Sequence, residues 1–262
     1  MSLPALDQPE VIRVIFHPRP EYALAPPTSG AHPVSIEVEP QIAIGARLFP
    51  AGREAPAILY WHGNGEIAAD YDASAPVYTR LGITLLVADY RGYGTSDGSP
   101  TCSNLLTDAV AVFDAADGVF ADHDLVPARR YVMGRSLGSA AAIEVAVHAG
   151  EELAGLIVES GFADTFGLLA RLAVRREGVD EASDGFGNAA KIARVTIPTL
   201  IIHGQDDVII PAEDGEDLYR RSAAEQKELV LIPGAGHNDL MMLGRGQYFQ
   251  AIRRFVQGEK GG

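Results

Sequence analysis

The chain has almost no cysteine and no long hydrophobic run. Cys102 is the single cysteine among 262 residues, which excludes an intramolecular disulfide and a cluster of cysteine ligands around a metal. No segment approaches the ~20 consecutive apolar residues that cross a bilayer, and the first residues lack the basic stretch and apolar core of a secretory signal. The sequence therefore predicts a cytoplasmic protein without an integral membrane segment.

Positive charge is also scarce. Lys and Arg total 21 against 35 Asp and Glu, so the net charge is −14. A general nucleic-acid binder needs the opposite balance, and we predict no nucleic-acid partner. Hydrophobic residues (47%) and charged residues (21%) are close to ordinary globular usage, which excludes disorder for most of the chain. The sequence leaves the oligomeric state open.

Short apolar runs divide the chain into two parts. In the first part, short apolar or alternating runs are separated by connectors rich in proline and glycine, and this pattern predicts antiparallel strands at residues 11–16, 34–38 and 42–49. From Ala57 onward, apolar runs alternate with stretches long enough for helices, which is typical of βαβ units around a buried parallel sheet.

Four of the intervening stretches carry helix signals: residues 103–120, with Ser103 as a candidate cap, and residues 137–148, 211–224 and 245–256. Residues 161–198 form a polar segment between two predicted strands and are too short for an independent domain. We therefore predict a single domain over residues 1–262, with 161–198 as a small lid-like insertion.

A Gly-x-Ser-x-Gly sequence lies between a predicted strand and an apolar helix. Gly134 and Gly138 flank Ser136, and glycine at both positions lets the chain bend sharply and expose the serine. This context predicts that Ser136 is a nucleophile. The alternative is an ordinary helix start with Ser136 as its cap.

A serine hydroxyl needs a base that removes its proton and a carboxylate that orients this base. Asp206 and Asp207 follow one predicted strand, and His237 follows the next. The chain order is therefore serine, acid, histidine, and each residue lies just past a strand end, where ligands bind in open parallel sheets.

An acyl-transfer site also needs main-chain N–H groups that stabilise an oxyanion. Leu137, directly after the serine, supplies the natural first donor. The second should come from the loop after an earlier strand, and we predict Asn64, in the small-residue loop HGNG (62–65). A plain turn is the alternative interpretation of this loop.

Five segments resemble, in chain order, the motif series of the α/β-hydrolase fold. They are HGNG (62–65), ADYRGYGTSDGSP (88–100), GRSLG (134–138), HGQDDVIIP (203–211) and GAGHND (234–239). The set covers most of the chain between Trp61 and Asp239. Its combination is most similar to minimally lidded serine hydrolases, which include depalmitoylase-like hydrolases and bacterial esterases and lipases.

The resemblance implies an α/β fold with a mostly parallel eight-stranded sheet, flanking helices and an antiparallel N-terminal portion. It implies Ser136 as nucleophile, His237 as general base and then acid, and Asp207 as the orienting carboxylate. Asp207 is preferred to Asp206 because the His-Gly-x-x-Asp spacing of the family ends on it. No metal or cofactor is implied.

The leading functional hypothesis is a serine hydrolase that cleaves a carboxylic ester, with a small-molecule or acyl ester as its partner. A thioesterase acting on long acyl chains uses the same machinery. An amidase or aminopeptidase is a weaker alternative, because expelling an amine demands stronger acid catalysis. A catalytically silent binding scaffold is the alternative from another class.

Overall fold

The computed structural model describes residues 2–21 and 30–258, and it contains one eight-stranded sheet. The strands are β1 (His32–Glu39), β2 (Ile42–Phe49), β3 (Ala57–Trp61), β4 (Thr84–Ala88), β5 (Arg130–Arg135), β6 (Gly155–Glu159), β7 (Thr199–Gly204) and β8 (Lys227–Ile232). Their order is β1-β2-β4-β3-β5-β6-β7-β8. β2 is antiparallel to both of its neighbours, and the other pairs are parallel. This architecture confirms the predicted α/β fold with its antiparallel N-terminal portion.

Helices cover both faces of the sheet. They are α1 (Pro9–Ile15), α2 (Ala75–Arg80), α3 (Cys102–Asp122), α4 (Gly138–Ala149), α5 (Thr165–Arg171), α6 (Glu181–Asp184), α7 (Asn188–Ile192), α8 (Ala212–Arg221), α9 (Leu240–Leu243) and α10 (Arg245–Gln257). The segment 161–198 contains α5, α6 and α7. Within the described residues, we find no helix that combines the length and the apolar character needed to span a bilayer.

The two faces of the sheet bury separate apolar cores, because side chains alternate along a strand. In β3, Leu59 and Trp61 belong to the core that includes residues of α3, α4 and α8. Ile58 and Tyr60 belong to the other core, which includes residues of α2 and α10. Since both faces are covered, the strand ends and their loops are the parts of the sheet left for a ligand.

The carboxyl ends of β3 and β5 lie side by side. Trp61, the last residue of β3, pairs with Gly134 near the end of β5. The neighbours of β3 are β4 on one side and β5 on the other, so the strand order changes direction there. Ligands bind outside the carboxyl ends at such a reversal. The HGNG loop and the Gly-x-Ser-x-Gly turn therefore begin next to each other.

The prediction of a strand at residues 11–16 is wrong, because this segment forms α1. Pro9 lies in the first turn of the helix, where its missing N–H leaves no hydrogen bond unmade. Val11 and Ile15 are buried, and their spacing of four places them on one helix face. A short apolar run does not separate a helix from a strand by itself, and tertiary burial decided the outcome.

The predicted cap of α3 is wrong as well. Thr101 is the N-cap: its Oγ1 accepts the N–H of Asn104 at 3.1 Å, and Asn104 Oδ1 accepts the N–H of Thr101 at 2.7 Å. The Oγ of Ser103 instead accepts the N–H of Leu3 at 2.7 Å. The strands predicted at 34–38 and 42–49 are confirmed. All four predicted helices are also confirmed, with boundaries shifted by a few residues.

Candidate active site

Ser136 lies on a tight turn between β5 and α4 with a φ of 52°, a left-handed conformation that a non-glycine residue rarely adopts. Two glycines make the turn possible. A Cβ on Gly138 would lie 2.1 Å from the carbonyl oxygen of Trp61, and one on Gly134 would lie 2.1 Å from the carbonyl oxygen of Gly138. The N–H of Ser136 donates to the carbonyl of Glu159 at 2.9 Å. The turn is therefore held by close backbone packing on both sides.

The structure brings Ser136, His237 and Asp207 together in one hydrogen-bonded chain. Ser136 Oγ lies 2.9 Å from His237 Nε2, and His237 Nδ1 lies 2.7 Å from Asp207 Oδ2. The side chain of Asp207 is fully buried, whereas Asp206 is exposed. This geometry allows an imidazole, oriented by a carboxylate, to accept a proton from the serine hydroxyl.

Asp207 is held as a carboxylate by donors on both of its oxygens. Oδ1 accepts the N–H groups of Ile209 and Ile210, both at 2.9 Å, while Oδ2 faces His237 at 2.7 Å and His203 at 3.5 Å. Burial on its own would raise the pKa of Asp207, but the hydrogen bonds from His203 and His237 hold this pKa well below its ordinary value. The group is therefore charged when it faces the imidazole.

His203, near the end of β7, and His62, directly after β3, bind groups of the nearby loops. His203 Nε2 lies 2.8 Å from the carbonyl oxygen of Ile210. His62 is fully buried, with Nδ1 2.8 Å from the carbonyl oxygen of Gly63 and Nε2 3.1 Å from Asp89. Among the described residues, no group of three or more histidine, cysteine or carboxylate side chains is placed to hold a metal ion.

Asn64 and Leu137 are the residues whose main-chain N–H groups the sequence predicts as oxyanion donors. Both residues line the same cavity, and no hydrogen bond within the described chain uses either N–H. The side chain of Asn64 is fixed: Oδ1 accepts from the N–H of His17 and from Tyr93 Oη, both at 2.8 Å, and Nδ2 lies 2.8 Å from His17 Nδ1. The N-terminal segment, residues 2–17, thus holds the loop that contains this N–H, a contact that the sequence did not predict.

A role for Arg135, which is next to Ser136, was also not predicted from the sequence. Its side chain is 8% exposed and donates to Glu66 and to two groups of the loop around His237, while Glu159 lies beside it. Burial by itself would lower the pKa of Arg135, but the Glu66 and Glu159 carboxylates raise it overall. The available signal was a long charged residue inside a turn that is otherwise made of small and apolar residues.

A cavity of about 230 Å³ opens at Ser136. Its wall is mainly apolar and comes from α1, from α5 and from loops at the carboxyl end of the sheet. The apolar members include Val14, Ile15, Leu168, Leu169, Phe186 and Ile210. None of the described residues that line it is a carboxylate. The cavity therefore suits an uncharged, apolar group next to the serine.

The sequence matches the family model described as "Serine aminopeptidase, S33" over residues 52–174 and 185–241. The match contains Asn64, Ser136, Asp207 and His237. It omits the N-terminal segment that supplies His17 and part of the cavity wall.

The chain is also similar to curated relatives and to a solved structure. An uncharacterized protein of Mycobacterium tuberculosis is 34% identical over 229 residues, which are 85% of this chain and 78% of that protein. Alpha/beta hydrolase domain-containing protein 17B of Homo sapiens is 32% identical over 206 residues, 77% of this chain and 66% of that protein. An esterase of Pyrococcus furiosus superposes with a TM-score of 0.73 at 17% identity, covering 92% of this chain and 98% of the esterase. At that identity the likeness shows the fold alone.

Proposed function

Because this chain belongs to the serine aminopeptidase S33 family of α/β-hydrolases, we propose that it is a serine hydrolase that cleaves carboxylic esters through an acyl-enzyme. The observation that carries the proposal is the hydrogen-bonded chain of Ser136, His237 and Asp207, which opens on a mainly apolar cavity. A serine next to an oriented imidazole can attack a carbonyl carbon, and an apolar wall accommodates an acyl chain.

In the first half of the proposed reaction, Ser136 Oγ attacks the ester carbonyl carbon while His237 Nε2 accepts the hydroxyl proton. The carbonyl oxygen becomes an oxyanion, and the N–H groups of Leu137 and Asn64 donate to it. The tetrahedral intermediate then collapses with cleavage of the bond to the alcohol oxygen. The alcohol leaves with the proton from His237, and the acyl group stays on Ser136.

In the second half, water takes the place of the alcohol. His237 removes a proton from the water, which attacks the acyl carbon, and the same two N–H groups stabilise the second oxyanion. Collapse of this intermediate releases the carboxylic acid and returns the proton to Ser136 Oγ. Asp207 stays ionised throughout and stabilises the imidazolium that forms in each half.

The lining of the cavity favours an ester over an aminopeptidase substrate. An aminopeptidase binds the α-ammonium group of its substrate, and a charge taken out of water needs a partner of opposite sign. No carboxylate lines the cavity within the described residues, and Asp207 is already occupied by His237 and two main-chain N–H groups. An uncharged acyl group needs no such partner.

Three leucines support the proposal that residues 161–198 form a small lid. Leu168 and Leu169 of α5, and Leu172 just beyond this helix, line the cavity. These leucines provide apolar surface that would contact the acyl group. We therefore propose that the first part of the lid binds the substrate directly.

Labelling with a fluorophosphonate probe tests the nucleophile. The probe should label the wild-type protein and leave Ser136→Ala unlabelled. The matched control is Ser183→Ala, a change on the lid helix α6 where the hydroxyl reaches only Asp180, and this variant should be labelled like the wild type. Labelling of Ser136→Ala would remove Ser136 from its proposed role, and an unlabelled wild type would contradict the function itself.

A substrate series then tests the bond that is cleaved. We expect p-nitrophenyl esters, compared from acetate to palmitate, to be hydrolysed with a defined optimum of chain length because the cavity is bounded. An acyl-thioester and an aminoacyl p-nitroanilide belong in the same series. Faster turnover of the anilide than of every ester would contradict the ester proposal, and faster turnover of the thioester would favour the thioesterase alternative.

A further inference from the structure

One buried guanidinium connects three loops around Ser136. Arg135 directly precedes the serine, and its Nη2 donates to the carbonyl oxygen of His237 at 2.8 Å and to Asn238 Oδ1 at 2.9 Å. Its Nη1 donates to Glu66 Oε1 at 2.7 Å, and its Nε lies 3.3 Å from Glu159 Oε1. The turn that carries the serine is therefore tied to the loop that carries the histidine.

Glu66 extends this connection to the loop that contains Asn64. Its Oε2 accepts the main-chain N–H of Gly63 at 2.7 Å, while its Oε1 accepts from Arg135. A Cβ on Gly63 would lie 2.3 Å from Arg135 Nη1, so the loop packs directly against the guanidinium. The peptide that precedes the Asn64 N–H is thus held by Glu66, which is itself bound to the guanidinium that holds the His237 loop.

The arrangement requires the shape of arginine. A guanidinium presents five N–H donors in a rigid planar fork, so it can hold acceptors in three directions at once, whereas a lysine ammonium is a compact point charge on a flexible stem. The acceptors here belong to the loops after β3 and β8 and to the end of β6, next to the turn after β5.

We propose that Arg135 is a positioning residue that sets the distances among Ser136, His237 and the main-chain N–H of Asn64, a role that rests on the function proposed above. It touches none of the reacting atoms in that mechanism. It acts through Glu66 on one loop and through the His237 carbonyl and Asn238 on another. Its loss should therefore impair the chemical step more than the binding of the acyl group.

The experiment compares Arg135→Lys and Arg135→Ala with the wild type. Two rates are measured: the rate of fluorophosphonate labelling, and kcat with KM on one p-nitrophenyl ester. A displacement of about 1 Å in a catalytic geometry costs about 10²-fold, so we expect both the labelling rate and kcat of Arg135→Ala to fall by about that factor. KM should stay close to the wild-type value, because Arg135→Ala removes none of the apolar side chains that line the cavity.

Arg130 provides a matched control at the other end of β5. It is also bound to a carboxylate, with Nη1 2.8 Å from Asp117, but it lies far along the strand from the serine. Arg130→Ala should retain the wild-type labelling rate and kcat. Since Arg135 lines the cavity, added guanidinium ion can enter there, and it should partly restore Arg135→Ala while leaving Arg130→Ala unchanged.

Two further variants keep the test decisive if Arg135→Ala does not fold. Glu66→Gln keeps an acceptor for Gly63 but turns an amide N–H₂ toward the guanidinium, and Asn238→Ala removes one acceptor on the histidine loop. Each should lower kcat and the labelling rate with little change in KM. Wild-type rates in both folded variants would overturn the inference, as would a loss confined to KM.

The labelling experiment separates this inference from the proposed function. If the wild type is labelled on Ser136 and folded Arg135 variants are labelled at the same rate, the positioning role is wrong and the hydrolase proposal stands. If the wild type is not labelled, the hydrolase proposal is overturned and the positioning role with it. Slow labelling of the Arg135 variants, with rescue by guanidinium, supports both.

Discussion

Asp206 and Asp207 are adjacent in the sequence and yet lie in different environments. The chain leaves β7 so that Asp207 turns inward, where Ile209 and Ile210 donate main-chain N–H groups to its Oδ1 and His237 approaches its Oδ2. Asp206 stays exposed, and its own main-chain N–H donates to the carbonyl of Ala235. Main-chain hydrogen bonds in this loop therefore select which carboxylate faces the imidazole.

The pair of substitutions Asp207→Asn and Asp206→Asn tests this selection. An asparagine at position 207 cannot stabilise the imidazolium and can favour the wrong tautomer of His237, so we expect kcat to fall by about 10³–10⁴-fold. Asp206→Asn is the isosteric control and should stay near the wild-type value. Steady-state kinetics on one ester decides the matter, and equal losses in the two variants would contradict the assignment.

Gly138, at the start of α4, lets this helix approach β3. A Cβ on Gly138 would lie 2.1 Å from the Trp61 carbonyl oxygen and 2.8 Å from that of His62. Both atoms are backbone, so neither can rotate out of the way. The packing of α4 against β3 thus depends on the absence of one side chain.

Gly138→Ala and Gly118→Ala should shift the free energy of unfolding in opposite directions. The first forces α4 away from β3, and we expect it to lower this free energy by about 3 kcal/mol. Gly118 lies on an exposed position of α3, and a Cβ added there would have no neighbour within 4 Å, so alanine should raise the free energy by about 0.5–1 kcal/mol. Urea denaturation measures both. A neutral Gly138→Ala would show that the strand and helix have room to separate.

The shortness of the apolar run at residues 11–16 explains why the prediction of a strand there is wrong. A run of six residues contains fewer than two helical turns, so helical and strand periodicities both fit it. In the fold, Val11 and Ile15 are buried, and Val14 and Ile15 line the cavity from α1. The choice of a helix follows from the surface on which the segment packs.

The N-terminal segment packs into the core of the molecule, although it lies before the family match, which begins at residue 52. Leu3, Leu6 and Val11 are at most 1% exposed and belong to the larger of the two cores. His17, at the end of this segment, binds the side chain of Asn64. The segment therefore contributes to the stability of the fold as well as to the site.

Leu6→Ala should destabilise the entire molecule. It removes a fully buried side chain and leaves a cavity, so we expect the free energy of unfolding to fall by about 2–5 kcal/mol. Val126→Ala, at a position that is 57% exposed, is the control and should change it by less than about 0.5 kcal/mol. Thermal and urea unfolding measure the difference. A Leu6→Ala variant as stable as the control would mean that the N-terminal segment detaches without cost.

The sheet and the local context of Ser136, Asp207 and His237 were predictable, because each depends on a short stretch of sequence. Apolar runs predict strands, and flanking glycines predict a tight turn. The structure brings the three side chains within hydrogen-bond distance, and their catalytic role stays a prediction. The role of Arg135 was not predicted, since a charged residue before the serine of a Gly-x-Ser-x-Gly motif is compatible with solvent exposure until its partners are known.

The sequence by itself determined which chemical groups follow each strand, and in which order, because hydrophobic periodicity and glycine placement are local properties of the chain. Only the tertiary structure decided how these groups are held together. Arg135 meets Asn238 across 103 positions, and His17 meets Asn64 across 47. Such contacts arise when packing of the sheet and its helices brings distant loops to one edge, and no local pattern contains that distance.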